Sequence, residues 1–111
     1  MNESQVIEAL SALSNKVRLR ILRHLVVAGT EGDSAGSIGE AVSAAPSKVS
    51  FHISAMERAG LVTSEKVSRS IIYRANFQHL GGVLNYLLTD CCNNNETVLA
   101  CCGVKADKNC C

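Results

Sequence analysis

The stretch Ala45 to Leu61, APSKVSFHISAMERAGL, decides how the rest of the chain is read. It has the form of one short helix with a marked start and stop. Pro46 suits a first helical turn, where its missing N–H costs nothing. Gly60 suits the position just past the end, where the backbone turns left-handed. Val49, Ile53 and Met56 recur at i, i+4 and i+7 and share one apolar face. The other face is assigned Ser47, Lys48, Ser50, His52 and Ser54, with no acid before Glu57. A solvated surface helix usually mixes both charge signs, whereas a helix lying in a DNA groove wants small donors and positive charge. The stretch alone leaves both readings open.

Its flanks favour the second. Upstream, residues 37–44 (SIGEAVSA) form a short helix with Ile38, Ala41 and Val42 as its apolar face, and Ala44–Ala45 make a tight joint, so the pair reads as a helix-turn-helix. Downstream, Leu61-Val62-Thr63 and Ile71-Ile72-Tyr73 are β-branched or aromatic runs around the polar segment SEKVSRS, which predicts an antiparallel hairpin with its tip near Val67–Arg69. A hairpin directly after a helix-turn-helix is a wing, and Arg69 at its tip is placed to reach a phosphate or a minor groove. Residues 4–13 predict a first helix, capped by Ser4, with Val6, Ile7, Leu10 and Leu13 inward. Residues 16–28 predict a second, capped by Ser14 or Asn15, with Val17, Ile21, Leu22, Leu25 and Val26 inward, Arg18, Arg20 and Arg23 elsewhere, and Gly29 as its stop. Residues 77–90 predict a last helix with Phe77, Leu80, Val83, Leu84, Leu87 and Leu88 as a broad apolar stripe, weakened by Gly81 and Gly82. The expected fold is mainly α with a small β-hairpin, a winged helix-turn-helix of five helices with the hairpin between the fourth and fifth. The first and last helices carry more apolar surface than one protomer needs, which points to a homodimer through both.

Composition narrows the class. A chain of 111 residues is one folding unit, and with 2 Tyr, 2 Phe and no Trp its core must be aliphatic. The net charge of +1 is uninformative, but its distribution is not. Lys16, Arg18, Arg20 and Arg23 come together without an acid, and Lys48, Arg58, Lys66, Arg69 and Arg74 follow, as a DNA-facing surface requires. No basic leader and no bilayer-spanning apolar run is seen, so a cytoplasmic protein with no membrane contact is expected. All 6 cysteines lie after residue 90, in three adjacent pairs, Cys91–Cys92, Cys101–Cys102 and Cys110–Cys111. Neighbouring cysteines sit too close for an unstrained mutual bridge, so thiol chemistry on a tail is expected rather than a disulfide scaffold. Residues 1–90 are therefore read as the DNA-binding and dimerisation domain, and 91–111 as a cysteine-rich tail. No phosphate loop, nucleophile elbow or paired carboxylates are present, and His24 and His52 lack sequence-near acids, so an enzyme is not expected.

The segment Ser14-Asn15-Lys16-Val17-Arg18-Leu19-Arg20-Ile21-Leu22 resembles an opening helix motif of the ArsR/SmtB metal-sensing repressors. Val49-Ser50-Phe51-His52-Ile53, followed by Arg58-Ala59-Gly60-Leu61-Val62, resembles that family's recognition helix and its exit into the wing. The resemblance spans roughly residues 5–90. It implies a repressor that binds double-stranded operator DNA with palindromic half-sites and leaves it when a toxic metal or metalloid binds. The Cys-x-Cys of many arsenic sensors of the family is absent from Gly36–Val42, and the last helix offers His79 and Asp90 without the second pair that zinc sensors use. What remains is the thiol cluster behind the last helix, which looks similar to some arsenic-responsive members.

As(III) and Sb(III) are thiophilic and prefer three thiolates in a pyramid, and soft ligands select soft ions. Cys91, Cys92 and one or both of Cys101 and Cys102 are the expected inducer ligands, with Cys110 and Cys111 as an auxiliary site and no permanent cofactor. Ser47, Lys48, Ser50, His52, Arg69 and Arg18 are the expected DNA contacts. Three alternatives use the same cysteines: a thiol redox switch on the same scaffold, a zinc or cadmium sensor, and a constitutive DNA-binding protein with a metal-scavenging tail.

Overall fold

The computed structural model of the chain describes residues 1–103. Helix α1, Glu3–Leu13, starts two residues earlier than the turn Ser4 was expected to cap. Asn2 is the cap: its side chain accepts from the Gln5 N–H at 2.9 Å, and the Gln5 side chain accepts from the Asn2 N–H at 2.9 Å. This reciprocal pair satisfies two end donors at once. Inward-facing residues are Val6, Ala9 and Ala12, while Ile7 and Leu10 face out at 57% and 42% exposure. The alanines let α1 lie close on its neighbours, and the larger side chains that sequence reading favoured are left over.

Helix α2, Lys16–Ala28, is capped by Asn15, whose side chain accepts from the N–H groups of Val17 and Arg18. Ile21, Leu22 and Leu25 are buried; Val26, expected inward, is 40% exposed. After a short turn at Gly29–Glu31, two residues, Asp33–Ser34, form strand β1. Helix α3, Ala35–Val42, follows at once, with the Ser34 side chain accepting from the Ser37 N–H. Its inward residues are Ile38, Gly39 and Val42 rather than Ala41. A methyl group on Gly39 would stand 2.8 Å from the Ala44 carbonyl oxygen, so the joint to the next helix closes only because that position has no side chain.

Helix α4, Pro46–Arg58, begins on Pro46 as expected, and buries Val49, His52, Ile53 and Met56. Strands β2, Val62–Val67, and β3, Ser70–Ala75, pair antiparallel from Val62↔Ala75 to Val67↔Ser70. The tip is therefore Ser68–Arg69, with Ser68 at a left-handed φ of 58°. The hairpin is joined by β1, which pairs with β3 at Asp33↔Tyr73 and Ser34↔Ile72, giving a three-stranded sheet in the order β1-β3-β2. A two-residue strand carries no alternation to read, and none was predicted. Arg74 ties this sheet to the preceding turn: its Nε–H donates to the Thr30 carbonyl at 2.7 Å, and its Nη1 to Glu65 at 2.8 Å.

Helix α5, Phe77–Tyr86, ends short of the expected residue 90. Leu87–Cys91 continue as one wider turn, closed by the Cys92 N–H donating to the Leu87 carbonyl at 2.9 Å, an i→i+5 bond. Thr89 contributes to the loosening, since its hydroxyl donates to the Asn85 carbonyl at 2.8 Å and such back-bonding bends helices. Asn93 and Asn94, at φ 48° and 54°, reverse the chain; asparagine tolerates that region better than most residues. Asn95 then caps helix α6, Glu96–Cys101, which buries Leu99. The core is aliphatic, built on Ile21, Leu25, Ile38, Ile53, Met56, Leu61 and Val83. No helix among the described residues is long and apolar enough to cross a membrane.

Candidate nucleic-acid interface

The packing of α4 decides which of its side chains can meet a partner. Val49, Ile53 and Met56 are anchored in the core. Ser47, Lys48, Ser50, Phe51 and Ser54 are exposed on the opposite side. The far end of the helix is fixed to the wing, because the Ser64 hydroxyl donates to the Glu57 carboxylate at 2.7 Å. Arg69 is exposed at the wing tip, as expected. Helix and wing thus present short donors, Lys48 and Arg69 to the outside.

His52 is a correction. Expected on the outward face, it is only 6% exposed and lies behind the helix. The Arg18 Nε–H donates to its Nδ1 at 3.0 Å, so Arg18, also expected on DNA, has that guanidinium edge turned inward to the histidine. An Nδ1 that accepts must be unprotonated, which places the ring proton on Nε2. Burial pushes the His52 pKa below the usual histidine value of 6.5, and the nearby cations Arg18 and Lys48 push it the same way. The folded protein therefore holds His52 neutral. Between its lowered folded value and 6.5 the unfolded chain binds the extra proton, so stability is complete above pH 6.5 and declines as the pH falls below it. Thermal unfolding followed by circular dichroism between about pH 7 and 5 should show the melting point falling, and His52→Gln should flatten that slope.

The cysteines are placed but not assembled. Cys91 ends the widened turn and is exposed, Cys92 is half-buried, and Cys101 and Cys102 are exposed at the end of α6; all four are free thiols. Among the described residues, no three His, Cys, Asp or Glu side chains converge as a metal site would require. Cys110 and Cys111 lie outside the described residues.

Residues 13–65 match a family described as a helix-turn-helix domain. The solved structure of an ArsR-like transcriptional regulator from Rhodococcus sp. RHA1 superposes with a TM-score of 0.72 at 28% identity, over 87% of this chain and 89% of that one. The chain has the fold of that ArsR-like regulator. A structure described as a possible transcriptional regulator for arsenical resistance is similar to this chain at 27% identity and TM-score 0.62, over 75% of this chain and 82% of the other. A homodimeric winged helix-turn-helix DNA-binding domain from Mycobacterium bovis shares the fold, at 24% identity and TM-score 0.59 over 78% and 84% of the two chains. No curated protein matches by sequence. Of these three structures, the two above 25% identity are described as transcriptional regulators.

Two features of this chain escaped sequence reading. Phe51, unassigned before, is 64% exposed on the outward face of α4. His24, read as lacking a nearby acid, pairs through Nε2 with the Asp33 carboxylate at 2.6 Å, which joins the end of α2 to β1. Burial works to raise the Asp33 pKa, but hydrogen bonds from His24, the Ser34 N–H and Ser37, with the charge of His24, bring it below the ordinary 3.8. Nine residues separate the pair, and only the α2–β1 turn brings them together.

Proposed function

We propose that this regulator binds operator DNA as a two-fold dimer, with α4 of each protomer in successive major grooves, and that As(III) or Sb(III) on C-terminal thiolates releases it. The observation that carries the DNA reading is the exposed face of α4, where Ser47, Lys48 and Ser50 stand free and the first acid is Glu57. Half-sites would be about 34–36 Å apart, one turn of duplex. Arg69 adds a wing contact. Dimerisation is supported by the apolar surface left outside the core, Ile7 and Leu10 on α1 with Phe77 and Leu84 on α5, all between 42% and 57% exposed. The homodimeric Mycobacterium bovis domain provides a precedent for the assembly.

The inducer reading rests on donor chemistry. Exposed, free Cys91, Cys101 and Cys102 beside half-buried Cys92 are the right ligands for a thiophilic ion. Because they do not converge in the fold, three-sulfur binding requires α6 to move against the end of α5. The similar protein described as a possible regulator for arsenical resistance is in keeping with this choice of inducer. The same exposure favours a second reading, in which oxidation of these thiols is the signal.

Duplex binding can be tested by selecting a duplex from a random pool with the full chain and measuring its affinity by fluorescence anisotropy. Two chains per duplex and a clear preference over a scrambled duplex are expected. Equal affinity for both duplexes would remove the DNA reading.

A further inference from the structure

Phe51 is the feature of α4 that the proposed reading leaves without a role. The chain has only 2 Phe and 2 Tyr, and this ring stands 64% exposed. Its neighbours on the helix surface, at i−4, i−3, i+3 and i+4, are Ser47, Lys48, Ser54 and Ala55. Three of these four are short, so the ring protrudes from the face. It is also supported from behind. The rings of Phe51 and His52 meet edge to face, with centroids 5.5 Å apart and planes at 67°, and His52 is itself held by the Arg18 Nε–H at 3.0 Å. An exposed aromatic ring forgoes a large hydrophobic gain, and here it does so on the surface that meets the partner.

Base edges in the major groove are polar with one exception, the C5-methyl of thymine, which apolar side chains contact. We infer that Phe51 reads thymine methyl groups, one in each half-site, and so is a determinant of operator choice. The inference rests on α4 lying in the major groove. Ser47, Lys48 and Ser50 supply polar contacts around it, and Arg18 and His52 fix the platform on which the ring sits.

The test uses the full-length protein and a duplex it has selected from a random pool. Each thymine is replaced in turn by deoxyuridine, which removes the methyl and nothing else. At one position per half-site the replacement should weaken binding about fourfold, roughly what burying one methyl-sized group is worth, and about 15-fold when made in both. Phe51→Ala, which leaves the core untouched, should bind thymine and deoxyuridine duplexes equally while keeping the wild-type melting temperature. Phe51→Leu should keep part of the discrimination. If no position is sensitive to the methyl, or if Phe51→Ala keeps the wild-type sensitivity, the inference is overturned while the groove reading stands. If selection yields no preferred duplex, both fall together.

Discussion

Lys48→Ala should lower operator affinity about 150-fold. Lys48 is exposed in the first half of α4, on the face opposite Val49, Ile53 and Met56. Among the described residues neither ion pair engages it: one joins His24 to Asp33 and the other Arg74 to Glu65. Its charge is therefore free for a phosphate or a guanine edge. A hydrogen bond to a charged group contributes about 1.5–3 kcal/mol. Taking about 1.5 kcal/mol for each protomer of a dimer gives about 3 kcal/mol, or the 150-fold stated. If the contact is to phosphate, the slope of log affinity against log salt should also flatten, by about 0.9 for each lysine lost. Anisotropy titrations between roughly 50 and 200 mM salt measure both quantities. Arg18→Ala should behave differently. Its guanidinium supports His52 from behind, so the loss should appear in the melting temperature as well as in binding. An unchanged affinity for Lys48→Ala would mean that this face of α4 does not touch the duplex.

Gly60→Ala should destabilise the fold by about 3 kcal/mol. Gly60 links α4 to the wing at φ 84°, where a side chain costs roughly 1–2 kcal/mol. The added methyl would also lie 2.7 Å from Cε1 and 2.8 Å from Nε2 of His79 on α5. Overpacking of that kind costs about 1–3 kcal/mol. Together the two effects amount to a large fraction of the roughly 5–15 kcal/mol that holds a domain. Thermal unfolding should show a melting point lower by some 12–24 °C, on the usual conversion for a domain of this size. A double-mutant cycle separates the causes. His79→Ala in the Gly60→Ala background should recover the steric part and leave the backbone part. The His79 Nε2 is buried and has no hydrogen-bond partner among the described residues, so removing the ring forfeits no bond to them from that atom. A Gly60→Ala protein that melts with the wild type would contradict the packing described at this junction.

How much of this was legible in the sequence depended on whether side-chain type and helical period agreed. In α4 they agreed at Val49, Ile53 and Met56, and those residues are buried. They disagreed at His52. Positions 49, 52, 53 and 56 form one i, i+3, i+4, i+7 stripe, so the period alone places His52 inside. Its polar type suggested the opposite, and what reconciles the two is Arg18, a partner 34 residues away. Phe51 is the converse case, an apolar type on the outward period. In α1 the larger Ile7 and Leu10 drew attention from Ala9 and Ala12, which make the close contact. The wing tip was readable because the polar run between two β-branched stretches leaves little choice. Strand β1 and the His24–Asp33 pair were not, since both depend on the path of the turn after α2. The cysteines were easy to find by spacing, but spacing says nothing of whether they meet, and among the described residues no three of them do.

On the proposed reading, As(III) held by thiols behind α5 governs how two α4 helices sit on DNA. Allosteric coupling of this kind is usually about 1–3 kcal/mol, a 5- to 150-fold change in affinity. The direct test is operator binding by fluorescence anisotropy, titrated with arsenite and separately with peroxide, for the full chain and for Cys91→Ser combined with Cys92→Ser. Arsenite should release the wild-type protein within that range, peroxide should not, and the double variant should bind the operator as tightly as wild type while ignoring arsenite. Release of the double variant by arsenite, or release of the wild type by peroxide alone, would contradict it.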